Sequence, residues 1–184
     1  MRIFIGTAIA RQLADSIKKG AEEQLKRTHW REAPMEQWHV TSLFVGDRES
    51  SLMPRIEEQV RTIAARTPPI VLQNGRLVTM PKDAPTMLWV RFMPSTELTR
   101  LHLALAAAIG AAPSTYRPYW PHITLARSRY KQVMPVDGDV LVKVFRLDQL
   151  TLFRSVPGPD GTNHSPISTW DLSGTDPAGH GTEA

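Results

Sequence analysis

The chain has no cysteine among its 184 residues. That removes a disulfide framework, a thiolate nucleophile and any zinc site built on sulfur. It also lacks a long apolar run: no stretch approaches the roughly 18–20 residues that a membrane helix needs. The Ile3 to Ala10 run has the outline of a signal-peptide core but is short. It passes straight into a helical pattern, so it reads as a first strand. A soluble protein in a cytoplasmic location fits these absences. Acidic residues are only slightly scarce. Lys and Arg number 22 against 18 Asp and Glu, a net charge of +4. Such a mild excess suits a polyanionic partner, but many plain enzymes share it.

What is present is one domain's worth of chain, or two small lobes sharing one fold. The apolar fraction of 41% is enough for a real core. Arg2 to Thr7 predicts a buried strand. Leu13, Ile17, Ala21 and Leu25 make an i+4 stripe and predict an amphipathic helix. Thr28 to Met35 reads as a loop, ended by Pro34. A strand through His39 follows. Ser50 or Ser51 is a candidate cap for a second helix, with Pro54 in its first turn and Ile56, Val60 and Ile63 on its buried side. Ile70 to Met80 predicts a strand bent at Asn74-Gly75, and Met87 to Met93 another strand. Ser95 or Thr96 is expected to cap a third helix that Gly110 ends. Strands are expected through His122, over 140–145, over 147–153 and over 167–172, with turn chemistry at 157–163. The single domain is drawn as 1–173, with 174–184 as a flexible tail.

Two of these strands carry the same pattern. Trp38-His39-Val40-Thr41 and Pro121-His122-Ile123-Thr124 each place apolar, His, apolar, Thr in a strand-like run. Residues i and i+2 of a strand share a face. Each copy therefore presents an imidazole beside a hydroxyl, and Val40, Phe44, Ile123 and Leu125 are expected to face the core. The copies lie nearly half the chain apart. The expected fold is α+β: a bilobal pseudo-twofold duplication, with antiparallel sheets lining a central cleft and helices outside.

Two opposed histidines suit phosphodiester cleavage. One neutral imidazole takes a proton from the nucleophile and the other, as imidazolium, protonates the leaving oxygen. Thr41 and Thr124 are placed to donate to the phosphate oxygens. Arg127 lies one step past strict alternation from His122 and Thr124. If the strand twists there, its guanidinium reaches a phosphate as well. Neither motif contains an acid, which argues against a metal site, and no cofactor is expected. Arg117 and Arg129 are weaker phosphate candidates, and Tyr119 or Trp120 is a candidate to stack a base. His29, His102, His164 and His180 read as solvated residues.

These motifs carry a resemblance. With the opening Arg2-Ile-Phe-Ile strand, the Met87-Leu-Trp-Val strand, Leu150-Thr-Leu-Phe-Arg-Ser155 and the closing Ser168-Thr-Trp-Asp-Leu172, the chain resembles the two-histidine phosphoesterases. Within them it is most similar to the RNA 2′,3′-cyclic phosphodiesterases, also called 2′-5′ RNA ligases. The resemblance implies metal-independent hydrolysis of an RNA 2′,3′-cyclic phosphate to a 2′-phosphomonoester, by a monomer. It implies that His122 is the base and His39 the acid, a distinction that motif symmetry does not make. It also implies the related joining of tRNA halves through a 2′,5′ bond. Other readings stay open: action on 2′,5′-oligoadenylate or an ADP-ribose cyclic phosphate, or a non-catalytic protein that binds RNA ends. Two residues depart from the family pattern. Ser42 stands where an apolar residue is usual, which is expected to loosen packing behind His39. Ile5 stands beside Phe4 where a second aromatic is common. The turn around Pro157 to Gly161 is also longer than usual for the family.

Overall fold

The structure is a computed structural model and describes residues 1–27, 30–115, 119–128, 130, 135–158 and 161–175. His29, Arg117, Arg129 and His180, residues 159–160 of the predicted turn and 176–184 of the predicted tail lie outside them. The strands are β1 (Arg2–Ala8), β2 (Trp30–Glu32), β3 (His39–Asp47), β4 (Ile70–Met80), β5 (Met87–Arg91), β6 (His122–Ser128), β7 (Asp137–Leu147), β8 (Gln149–Gly158) and β9 (Gly161–Asp171). The helices are α1 (Arg11–Gly20), α2 (Glu22–Leu25), α3 (Met53–Ala64) and α4 (Thr96–Ile109). All strand pairs are antiparallel.

The strands form one sheet in the order β7-β4-β5-β6-β3-β1-β8-β9, with β2 added on β6. From the centre outwards, one half reads β6-β5-β4-β7 and the other β3-β1-β8-β9. Each half contains strand, helix, motif strand: β1-α1-β3 in one, β5-α4-β6 in the other. The halves meet at a single ladder position, Val40 opposite Ile123. These are the middle residues of the two His-x-Thr motifs. Both are fully buried, as are Leu88, Leu98, Leu105, Leu150 and Leu152. Each such aliphatic side chain is worth about 1.5–3 kcal/mol of burial. The core thus fixes the two motif strands side by side.

Several local expectations change. The first helix breaks at Ala21 into α1 and α2, although Ile17, Ala21 and Leu25 are buried as the stripe requires. Trp30–Glu32, read as loop, is a strand because its backbone finds β6. Ser50 and Ser51 do not cap α3. They form a 3-10 turn before it, and Pro54 sits in its first turn. Ser95 does cap α4, its Oγ accepting from Leu98 N–H at 3.1 Å, and Gly110 ends that helix at φ 68°. The first residues after the last strand are held. Ser173 and Gly174 N–H donate to Ala64 and Thr67 carbonyls at the end of α3.

Candidate functional site

Both motif strands carry a β-bulge three residues after the histidine. On β3, Ile5 faces Leu43 and Gly6 faces Thr41, so Ser42 is the extra residue. On β6, Leu88 faces Ala126 and Trp89 faces Thr124, so Leu125 is extra. A bulge reverses which face later side chains take. The residue five after each histidine is therefore turned outward: Phe44 on β3 and Arg127 on β6. This corrects the expectation that Phe44 faces the core, since its ring is 66% exposed. It also supplies the twist that Arg127 needed. Gly6 allows the close approach at the first bulge, because a Cβ there would lie 2.6 Å from the Val40 carbonyl oxygen.

The two imidazoles are tethered alike. Nδ1 of His39 bonds the Gln37 carbonyl at 2.7 Å, and Nδ1 of His122 bonds the Trp120 carbonyl at 2.9 Å. A carbonyl only accepts, so Nδ1 carries a proton in both rings. Nε2 is left as the titrating nitrogen on each. Both rings are half-buried, and burial pulls both pKa values below the usual histidine range. The carbonyl bonds oppose that shift, while the Arg127 charge adds to it on both and the His39 charge adds to it on His122. The two histidines and Arg127 thus share one electrostatic neighbourhood.

Each ring also has an aromatic neighbour from the strand beside it. Phe4 of β1 lies 4.7 Å from His39, tilted by 33°. Trp89 of β5 stacks on His122 at 3.7 Å and 16°. Thr41 is buried and Thr124 half-buried, each two residues on from its histidine as alternation requires. Among the described residues, no three His, Asp or Glu side chains gather where they could hold a metal.

Behind the first motif sits a polar brace. His102 is 2% exposed, which overturns its reading as a solvated helix residue. Its Nδ1 bonds the Ser42 carbonyl at 2.7 Å and its Nε2 accepts from Ser114 N–H at 2.9 Å. Those partners require the neutral ring with the proton on Nδ1. Tyr119 stacks on it at 4.5 Å and donates its hydroxyl to the Thr41 carbonyl at 2.6 Å. Tyr119 is therefore buried in this brace and does not offer a face to a base. Trp120 lies half-buried under the Arg91 guanidinium at 4.7 Å.

His164 also departs from its reading as a solvated residue. It lies on β9, half-buried, 5.2 Å from His39 and 4.8 Å from Phe4, edge-on to both. Its Nδ1 is buried with no hydrogen-bond partner. Burial, then the charges of His39 and Arg127, push its pKa down to about 4. No local motif marks it, because it reaches the cleft only through the long β8–β9 hairpin. Gln37 fastens that hairpin. Its side chain donates to Asn163 Oδ1 at 3.3 Å and accepts from His164 N–H at 2.9 Å, while its carbonyl holds His39.

A mostly antiparallel sheet with few helices, carrying two alike-tethered imidazoles on paired strands, defines a mixed α/β class of protein. A sequence model of the 2′-5′ RNA ligase superfamily matches residues 7–155, and the chain belongs to that family. It is 27% identical over 127 residues to an RNA 2′,3′-cyclic phosphodiesterase of Bacillus subtilis, covering 67% of this chain and 69% of that one. Its fold is similar to that of a Thermus thermophilus protein (TM-score 0.80, 22% identity, 96% of this chain and all of that one). It is also similar to E. coli LigT complexed with phosphate (TM-score 0.74, 17% identity, 94% and 97%).

Proposed function

We propose that the chain hydrolyses 2′,3′-cyclic phosphate ends of RNA to 2′-phosphomonoesters, using His39 and His122 for both proton transfers. The observation that carries this reading is the matched tethering of the two rings, which leaves Nε2 of each free to exchange a proton. Family membership and the name of the Bacillus subtilis relative support the reaction class. E. coli LigT, which is similar in fold, has been crystallised with 3′-AMP.

In this scheme neutral His122 removes a proton from water as the water oxygen attacks phosphorus. The bond from phosphorus to the 3′ oxygen breaks, and protonated His39 gives its proton to that oxygen. The 2′ ester bond stays. Each transfer is worth about 10²–10⁴ in rate. Base for His122 and acid for His39 follow the family resemblance. Thr41 and Thr124 hydroxyls and the Arg127 guanidinium take the non-bridging oxygens, where charge builds. Phe44, the exposed end of an aromatic row with Phe4 and Phe153, offers a face to the terminal base. Phe4 itself is 2% exposed and has no face to give.

Both histidines have lowered pKa values, so the acid is mostly unprotonated in the empty enzyme near neutral pH. The bound anion offsets this, and His39 takes up its proton together with substrate. The two imidazoles supply every proton the scheme moves, so no metal or cofactor is called for. One chain builds the whole cleft, so a monomer suffices. Attack by a 5′-hydroxyl end in place of water, with the same loss of the 3′ oxygen, joins RNA pieces, such as tRNA halves, through a 2′,5′ bond. A cytoplasmic protein would meet such ends.

Phosphorus NMR tests this directly. Adenosine 2′,3′-cyclic phosphate incubated with the protein and EDTA should give adenosine 2′-phosphate alone. A 3′-phosphate product would refute the assigned roles. Stoichiometric binding without turnover would leave a protein that only holds RNA ends. Turnover confined to 2′,5′-oligoadenylate or an ADP-ribose cyclic phosphate would move the activity within the superfamily.

A further inference from the structure

Arg31 of β2 stands directly opposite Arg127 of β6 in the ladder. Residues opposite each other across two strands share a face, and like charges there repel. Among the described residues neither has an acidic partner within ion-pair distance. The neighbouring acid on β2, Glu32, is taken by Lys18 at 3.3 Å. Among the described residues the Arg127 side chain bonds the Met87 sulfur, at 3.1 Å from Nη1. Its pKa is lowered by burial first and then by the Arg31 charge.

The guanidinium of Arg31 is also given a defined place. It lies under the end of the β8–β9 hairpin, where Gly161 has φ 123° and a Cβ would sit 3.3 Å from Nη2. A side chain at Gly161 would be strained and would crowd it. Both side chains are exposed, so solvent screens their repulsion, and an anion that reaches the pair can take bonds from both guanidiniums.

The charges are arranged in sequence. That of Arg127 acts on His39, His122 and His164, whereas that of Arg31 acts on Arg127. The two fixed positive charges thus stand side by side on β6 and β2, with Arg127 the nearer to act on the histidines. An RNA ending in a 2′,3′-cyclic phosphate has both its 2′ and 3′ oxygens in the reacting ring. The rest of the strand leaves through the 5′ oxygen, so the next anion along it is the phosphate on that oxygen.

We propose that Arg31, with Arg127 beside it, forms a second anion subsite for the phosphate on the 5′ oxygen of the terminal nucleoside. This rests on the cyclic-phosphodiesterase reading above. It makes the preferred substrate an RNA end, or a nucleotide with a 5′-phosphate, in preference to a bare nucleoside cyclic phosphate.

Steady-state kinetics on three substrates test it: adenosine 2′,3′-cyclic phosphate, the same compound with a 5′-phosphate, and the dinucleotide UpA ending in a 2′,3′-cyclic phosphate. Arg31→Ala should raise KM about 10- to 100-fold for the two substrates with a 5′-side phosphate, as loss of a charge-assisted contact does. The bare cyclic nucleotide should be unaffected. The slope of log KM against log salt on the dinucleotide should become shallower by about 0.7. Arg31→Met keeps the aliphatic stem without the guanidinium and should behave like Ala; wild-type kinetics for it would show that the charge binds nothing and overturn the subsite. Equal losses on all three substrates, or none, overturn it too. An effect on the dinucleotide alone assigns the subsite to the diester and rejects the monoester. If the unaltered protein turns over none of the three, the underlying reading falls and the subsite with it.

Discussion

The two motif strands are built to one plan and end in different chemistry. Each has a histidine tied by Nδ1 to the carbonyl two residues back, a threonine two residues on, a bulge at the third and an outward side chain at the fifth. At that fifth position one half has Phe44 and the other Arg127. One side of the cleft is therefore apolar and aromatic, with Phe4, Phe153 and His164 near His39. The other carries Trp89, which stacks on His122, and the Arg127 guanidinium. A repeated backbone device thus presents two kinds of side chain, a ring and a guanidinium, which the proposed function assigns to a base and a phosphate. The bulge residue differs as well: apolar Leu125 in one half, Ser42 in the other.

The most severe way to break the symmetry is to remove either histidine. His39→Ala and His122→Ala should each lower kcat by about 10²–10⁴, and the double variant should lose little more, because the transfers act as a unit. Circular dichroism would verify folding. If one variant keeps full activity, the halves are not chemically equivalent and the two-histidine scheme fails.

The fifth positions come next. Arg127→Ala should cost about 10- to 100-fold in kcat/KM on every cyclic phosphate, since it loses charge-assisted bonds worth roughly 1.5–3 kcal/mol. Phe44→Ala should act on KM and more for purine than for pyrimidine ends, as stacking does, at about 1–3 kcal/mol. Matching substrate profiles for the two variants would erase the division of labour.

His164 separates the halves by pH. Its pKa of about 4 lies below the value near 6.5 of an unfolded histidine. Below pH 6.5 the unfolded chain gains a proton that the folded one refuses. Stability is therefore lost as pH falls from about 6.5 towards 4, with His39 and His122 adding in the same direction. Urea unfolding of His164→Gln should lose less stability between pH 7 and pH 4.5 than the parent does. An unchanged difference would mean that the ring is not held neutral.

The smallest effect concerns the bulge. Ser42 Oγ is fully buried with no hydrogen-bond partner, whereas Leu125 presents no such atom. Ser42→Ala should raise unfolding free energy by about 1 kcal/mol. A loss instead would show that the hydroxyl contributes to the brace made by His102 and Tyr119.

Much of the site was legible in the sequence because its signals are local. His39 with Thr41, and His122 with Thr124, sit two residues apart on strands whose apolar alternation is plain, and one repeat implied the other. The α4 termini were legible for the same reason, since Ser95 and Gly110 act on backbone within a few residues of themselves. What the sequence did not reveal depends on partners far along the chain. A bulge is a mismatch between two strands, so neither the outward turn of Phe44 nor the approach of Arg127 could be read from one of them. His102 is buried because Ser42, 60 residues away, offers its carbonyl. His164 enters the cleft because Gln37 holds the hairpin 127 residues on. Arg31 became informative only when β2 was found on β6, opposite Arg127. The sequence by itself determined that an imidazole and a hydroxyl share a face on each of two strands, through residue type and a two-residue period. The tertiary structure alone decided which charges and rings stand around them, because register, bulges and hairpin contacts are properties of strand pairs.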